Sequence, residues 1–82
     1  MTVYDLAPGS SGTVAAVDAQ GAIRRRLLDM GLHRHARVTV DRIAPLGDPI
    51  WIRLSGTHIA LRKTEAASIR IEADGGSEET DA

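Results

Sequence analysis

Apolar residues recur in two rhythms along this chain. Ile23, Leu27 and Met30 fall at i, i+4 and i+7, which places them on one stripe of a short helix that needs covering. The stripe stops at Gly31. A glycine there predicts a C′ residue in the left-handed conformation, with Leu32 as C″ contacting Leu27 at C3 in a Schellman ending. Everywhere else the apolar residues alternate. Ser11–Val17 predicts a first strand, Arg37–Ile43 a second, Ile50–Leu54 a third, residues 57–62 a fourth and residues 69–72 a fifth. Val38 and Val40 share a face while Ile43 is out of phase with them, which predicts a bulge or sharp bend near Asp41-Arg42.

The connections carry their own signals. Pro8-Gly9 makes a tight turn after Leu6, whose side chain reaches the core. Asp18-Ala19-Gln20-Gly21 leads into the helix; Asp18 caps it if it starts early, whereas Gly21 argues for a loop up to Ala22. Residues 33–36 form a loop, Ala44-Pro45-Leu46-Gly47-Asp48-Pro49 an ordered turn, and Ser55-Gly56 a hairpin turn. Thr64 is an N-cap signal for one helical turn over residues 63–68. Five short strands with tight connections describe a mostly β chain. The expected fold is a small SH3-like five-stranded antiparallel barrel, with one short α-helix between strands 1 and 2 and one helical turn before the last strand. An OB-fold is the nearest competitor, but its strands are usually longer and its helix sits later.

Composition narrows the function. At 82 residues this is one small domain, residues 1–72, followed by an acidic tail, residues 73–82, expected to be disordered. The net charge of −1 conceals an asymmetry, because residues 1–72 hold ten bases against seven acids, a net of +3. No cysteine is present, so disulfides, thiolate metal sites and thiol catalysis are excluded. No secretory signal pattern opens the chain, and no apolar run approaches the roughly 18 residues of a membrane span, so the expected location is cytoplasmic.

Candidate chemistry is sparse. Ser, His and Asp residues show no catalytic spacing and no Gly-rich phosphate loop is present, so no enzyme is expected and no cofactor. His33 and His35 are the weak metal candidates. Their i, i+2 spacing puts two imidazoles on one face only in an extended segment, and a third ligand is missing locally. Arg24, Arg25 and Arg26 can meet phosphates, but successive helical residues diverge by about 100° and the chain has only Tyr4 and Trp51 for stacking, which argues against nucleic acid. By alternation Trp51 and Arg53 face away from Ile50 and Ile52. Trp51 is then either covered by the helix or the Pro45–Pro49 loop, or it is an exposed contact anchor.

One resemblance organises these observations. The succession Leu6-x-Pro8-Gly9, Gly12-x-Val14, Arg26-Leu27-Leu28-Asp29-Met30-Gly31-Leu32, Ala44-Pro45-Leu46-Gly47-Asp48-Pro49-Ile50 and Leu61-Arg62-x-x-Glu65-Ala66 resembles the FeoA family of ferrous iron transport accessory proteins. A weaker version of these motifs occurs in the C-terminal domains of DtxR-type iron-dependent repressors. The resemblance implies a non-enzymatic cytosolic module that binds the cytosolic part of FeoB, a membrane GTPase and iron transporter, and meets the membrane only through it. The alternative is a regulatory module of metal-dependent transcription control, working by protein–protein contact. Docking would fall to large side chains leaving the core face, namely Arg24, Arg25, Trp51 and Arg53. Exposed strand edges would also permit weak homo-oligomers. The chain departs from the family where Arg34-His35 replaces a common Pro-Gly pair, so that turn has to be made without glycine, and at Trp51, where a polar residue is more usual.

Overall fold

The computed structural model describes residues 1–73; residues 74–82, most of the expected acidic tail, lie outside the described residues. A 3₁₀ turn at Val3–Asp5 precedes β1 (Ser11–Val17), α1 (Gly21–Asp29), β2 (Arg37–Ile43), β3 (Ile50–Leu54), β4 (Thr57–Leu61), α2 (Lys63–Ala67) and β5 (Ile69–Ala73). The strands form one antiparallel sheet in the order β4-β3-β2-β1-β5. This is the expected five-stranded architecture, with β4 one residue shorter and β5 one residue longer than expected. The 3₁₀ turn and β5 pack against α2, which links the two edge strands of the sheet.

Alternation explains the core. Val14, Val38, Val40, Ile50, Ile52, Leu54, Ile69 and Ile71 all face inward and are buried. The ladder slips between Val40 and Arg42, so Val40 pairs with Ile52 but Arg42 with Trp51. That is the bulge expected from the phase of Ile43, and it bends β2 so that the sheet curls. A second slip, between Val14 and Ala16 opposite β5, has no counterpart in the pattern, because Ala15 and Ala16 are too alike to show a phase change. Ser55 and Gly56 both hold positive φ, 51° and 82°, which makes the two-residue hairpin turn whose twist matches the strands.

The end of α1 follows the expected geometry. Gly31 has φ of 104°, its N–H donates to Leu28 O at 2.9 Å, and the Leu32 N–H donates to Leu27 O at 3.1 Å. Those are the two bonds of a Schellman ending. Leu27 and Leu32 are both fully buried, and a side chain of this size contributes about 1.5–3 kcal/mol on burial. The beginning differs from expectation. Ile23 is 53% exposed instead of sharing the covered stripe, and Gly21 to Arg26 all face solvent. Leu27 and the partly buried Met30 are the helix residues that reach the core, so the first two turns of α1 project past the edge of the barrel. Gln20 is the N-cap and Gly21 has φ of 62°, which places the first helical dihedrals at Ala22. Asp18 does not cap; it pairs with Arg70 at 3.6 Å.

Two local expectations need correction or completion. Thr64 lies inside α2, whose N-cap is Arg62, because the Glu65 carboxylate accepts the Arg62 N–H at 2.8 Å and so moves the helix start back. The turn at Arg34-His35 is made by His35 itself, at φ of 78°. The His35 N–H donates to Val14 O and the Val14 N–H to Ala36 O, both at 2.8 Å, which latches the loop to β1. Left-handed backbone costs a side-chain-bearing residue about 1–2 kcal/mol. His35→Gly is therefore expected to stabilise the fold by about 0.5–1 kcal/mol, net of the greater freedom of glycine in the unfolded chain, while Gly31→Ala destabilises it by about 1–2 kcal/mol. Denaturant unfolding of the two variants checks the pair of opposite signs.

Candidate docking surface

The exposed part of α1 is held by one polar bridge. Glu65 is 5% exposed, and its two carboxylate oxygens are divided between two helices. Oε1 accepts the Arg62 N–H and caps α2, while Oε2 accepts Arg26 Nη1 from α1. A buried carboxylate has to be paired in this way or its desolvation would be uncompensated. Glu65 thus ties the projecting helix to the barrel. The Arg62-x-x-Glu65 spacing, read as a capping signal, would have located this residue in the sequence.

The remaining arginines of α1 are differently placed. Arg24 and Arg25 are exposed, and no carboxylate among the described residues pairs with either. Two hollows flank the helix. One, of about 510 Å³, is lined by Ala22, Arg25, Asp29 and Met30; the other, of about 160 Å³, lies between α1 and α2 and is lined by Ile23 with Ala19 and Thr64. Apolar surface and unpaired positive charge therefore meet at the N-terminal half of α1.

The outer face of the β2–β3–β4 hairpin layer is a separate surface. Trp51 is half-buried, and Arg42 lies over it, its guanidinium carbon 5.3 Å from the ring centroid. Ala60 sits opposite it on β4. Arg53 pairs with Asp41 at 3.3 Å, and the other oxygen of that carboxylate meets His58 Nδ1 at 3.0 Å. The structure joins Trp51 and Arg53 on this face and Arg24 and Arg25 on α1; no ion pair or ring contact among the described residues bridges the two sets.

His33 and His35 lie on one exposed loop. The His33 ring approaches Arg34 O at 3.3 Å, and no group of three His, Asp or Glu residues among those described is arranged to hold a metal ion. No helix of the described residues is long and apolar enough to cross a membrane.

Residues 1–73 match the model of the FeoA domain. The chain belongs to the FeoA family. A relative from Porphyromonas gingivalis, a fusion of Fe(2+) transport protein A with the Fe(2+) transporter FeoB, is 33% identical over 72 residues, covering 88% of this chain and 8% of that protein. The FeoA protein of Chlorobium tepidum is 40% identical, with a TM-score of 0.87 over 94% of this chain and 73% of that one. FeoA of Stenotrophomonas maltophilia, an SH3 domain protein solved with zinc, is 30% identical, with a TM-score of 0.78 over 88% of this chain and 89% of that one. These likenesses favour the SH3-like description of the barrel over an OB-fold. A manganese-dependent transcriptional repressor shares the fold at 23% identity, with a TM-score of 0.81 over 89% of this chain and 36% of that one. The FeoA family is one of non-enzymatic accessory proteins of ferrous iron transport.

Because Glu65 serves both helices, its two partners are coupled. Arg26→Ala is expected to cost about 1–2 kcal/mol, since it leaves a buried carboxylate half-satisfied. Glu65→Gln is then expected to cost less in the Arg26→Ala background than in the parent. Additive costs in a double-mutant cycle of chemical denaturation would show that the bridge does not hold α1.

Proposed function

We propose that this chain docks on the cytosolic part of a FeoB-type membrane GTPase and supports or regulates ferrous iron transport. The observation that carries the reading is the Porphyromonas gingivalis fusion, in which a FeoA-like segment and an Fe(2+) transporter are one polypeptide. Fusion of two activities into one chain is the covalent form of a contact that separate chains make by docking, because tethering raises the effective concentration of the two surfaces. The chain matches only 8% of that fusion, so its role is that of the accessory segment.

The mechanism is contact, not chemistry. Arg24 and Arg25 on α1 and Trp51 and Arg53 on β3 supply the large exposed or half-exposed side chains of the two available faces. Among the described residues Arg24 and Arg25 have no ionic partner to give up, whereas Arg53 would have to release Asp41 and Trp51 its cover by Arg42. The α1 face therefore carries the docking and the hairpin face modulates it. In this reading the chain is cytoplasmic, touches the membrane only through its partner, and needs neither nucleic acid nor a cofactor. Self-association through the β4 edge is weak beside it. A role in metal-dependent transcription control rests on likeness of fold alone, and fold does not fix function.

The test is a pull-down of the tagged chain from its own cells with solubilised membranes present. Retention of a FeoB-type transporter is the expected result. Arg24→Glu combined with Arg25→Glu is expected to weaken it at least about tenfold, and Trp51→Ala by less, with thermal unfolding showing both variants folded. Recovery of a soluble DNA-binding regulator in place of the transporter would contradict the reading.

A further inference from the structure

The apolar stripe of α1 is only half used by this fold. Leu27 fills the core, but Ile23, one turn earlier on the same stripe, stands 53% exposed over the hollow between α1 and α2. An amphipathic helix normally covers its whole stripe. Here the first two turns carry an aliphatic side chain with room beside it, and the two arginines that follow it have no acidic partner among the described residues. Arg26, next in line, is already engaged by Glu65, and Asp29, the one acid of the helix, lies one turn beyond Arg25 and makes no ion pair with it.

Several occupants fit part of this surface and fail on the rest. A second copy laid helix to helix in a two-fold contact would set Arg24 and Arg25 against their own counterparts, a like-charge juxtaposition. The chain's own residues 74–82 offer four acids but no apolar side chain larger than alanine, so they would answer the arginines and leave Ile23 bare. Nucleic acid has the same defect, since phosphates meet arginine but nothing stacks on an isoleucine. What satisfies both features is a protein segment that presents an aliphatic side chain flanked by carboxylates.

Resting on the FeoB reading, we infer that the N-terminal half of α1 is the receptor for an acidic amphipathic segment of the partner, with Ile23 and the adjacent hollow taking its aliphatic anchor and Arg24 and Arg25 its flanking Asp or Glu. This is helix-in-groove recognition, in which apolar anchors give affinity and surrounding charges give orientation and choice of partner. The exposed half of α1 is then the reason that its other half is so firmly fixed: the Schellman ending and the Arg26–Glu65 bridge hold the receptor in place without covering it.

The experiment uses the intact 82-residue chain, labelled with nitrogen-15, and a synthetic helical peptide bearing leucine on one face with flanking glutamates. Controls are the same peptide with lysine for glutamate, a short DNA duplex, and the isolated cytosolic domain of the FeoB-type partner. The expected result is shift changes confined to α1 and its flanking hollows with the glutamate peptide. Ile23→Ser should weaken that binding at least about tenfold, and Arg24→Glu with Arg25→Glu should transfer preference to the lysine peptide. Equal binding of the lysine peptide or of DNA, an unchanged affinity in Ile23→Ser, or no movement at α1 would each overturn the inference. If the FeoB domain binds but leaves α1 unmoved, the inference fails and the FeoB reading stands. If the glutamate peptide binds at α1 and the FeoB domain does not compete, the surface chemistry stands and the FeoB reading fails.

Discussion

The fold depends on how the chain leaves α1. At Gly31 the backbone takes a φ of 104°, closes two hydrogen bonds onto Leu28 and Leu27, and sends Leu32 into the core beside Leu27. Those two buried leucines are the apolar contact that accompanies such an ending. Because the helix is fixed at its C-terminal end, β2 starts in register with β1, and the loop at His35 is latched to Val14 on the way. The same anchoring lets the other end of α1 project, with Glu65 as the strut that keeps it from swinging.

Charge partnering then separates the surface into used and unused parts. On the hairpin face Asp41 engages Arg53 and His58, and Arg42 lies over Trp51, so that face is internally satisfied. On α1 the buried Glu65 satisfies Arg26 alone. Exposed ion pairs are worth little to stability, so the arrangement matters less for holding the fold than for deciding which arginines remain available to another molecule.

Most of the architecture was legible in the sequence because alternation, glycine placement and turn residues are local signals. Val38 and Val40 against the phase of Ile43 gave the bulge, and the Leu27-Met30-Gly31-Leu32 run gave the helix ending in full. What escaped depends on tertiary placement. Helical spacing shows that Ile23 and Leu27 share a stripe but not how wide the barrel edge is, so the exposure of Ile23 could not be read. Glu65 was visible as part of a motif and not as a buried carboxylate, because its partner Arg26 is 39 residues away in the chain. Trp51 was correctly placed on the outer face, yet its cover came from Arg42 across the bulge, a neighbour that strict alternation does not supply.

The helix α1 is locked at its C-terminal end and left open at its N-terminal half. Native-state amide hydrogen exchange measures this directly. The amides of Met30, Gly31 and Leu32, which donate to Arg26, Leu28 and Leu27, are expected to exchange only on global unfolding, while those of Arg24 and Arg25 exchange by local fraying far more readily. Uniform protection along α1, or equally fast exchange at both ends, would contradict it.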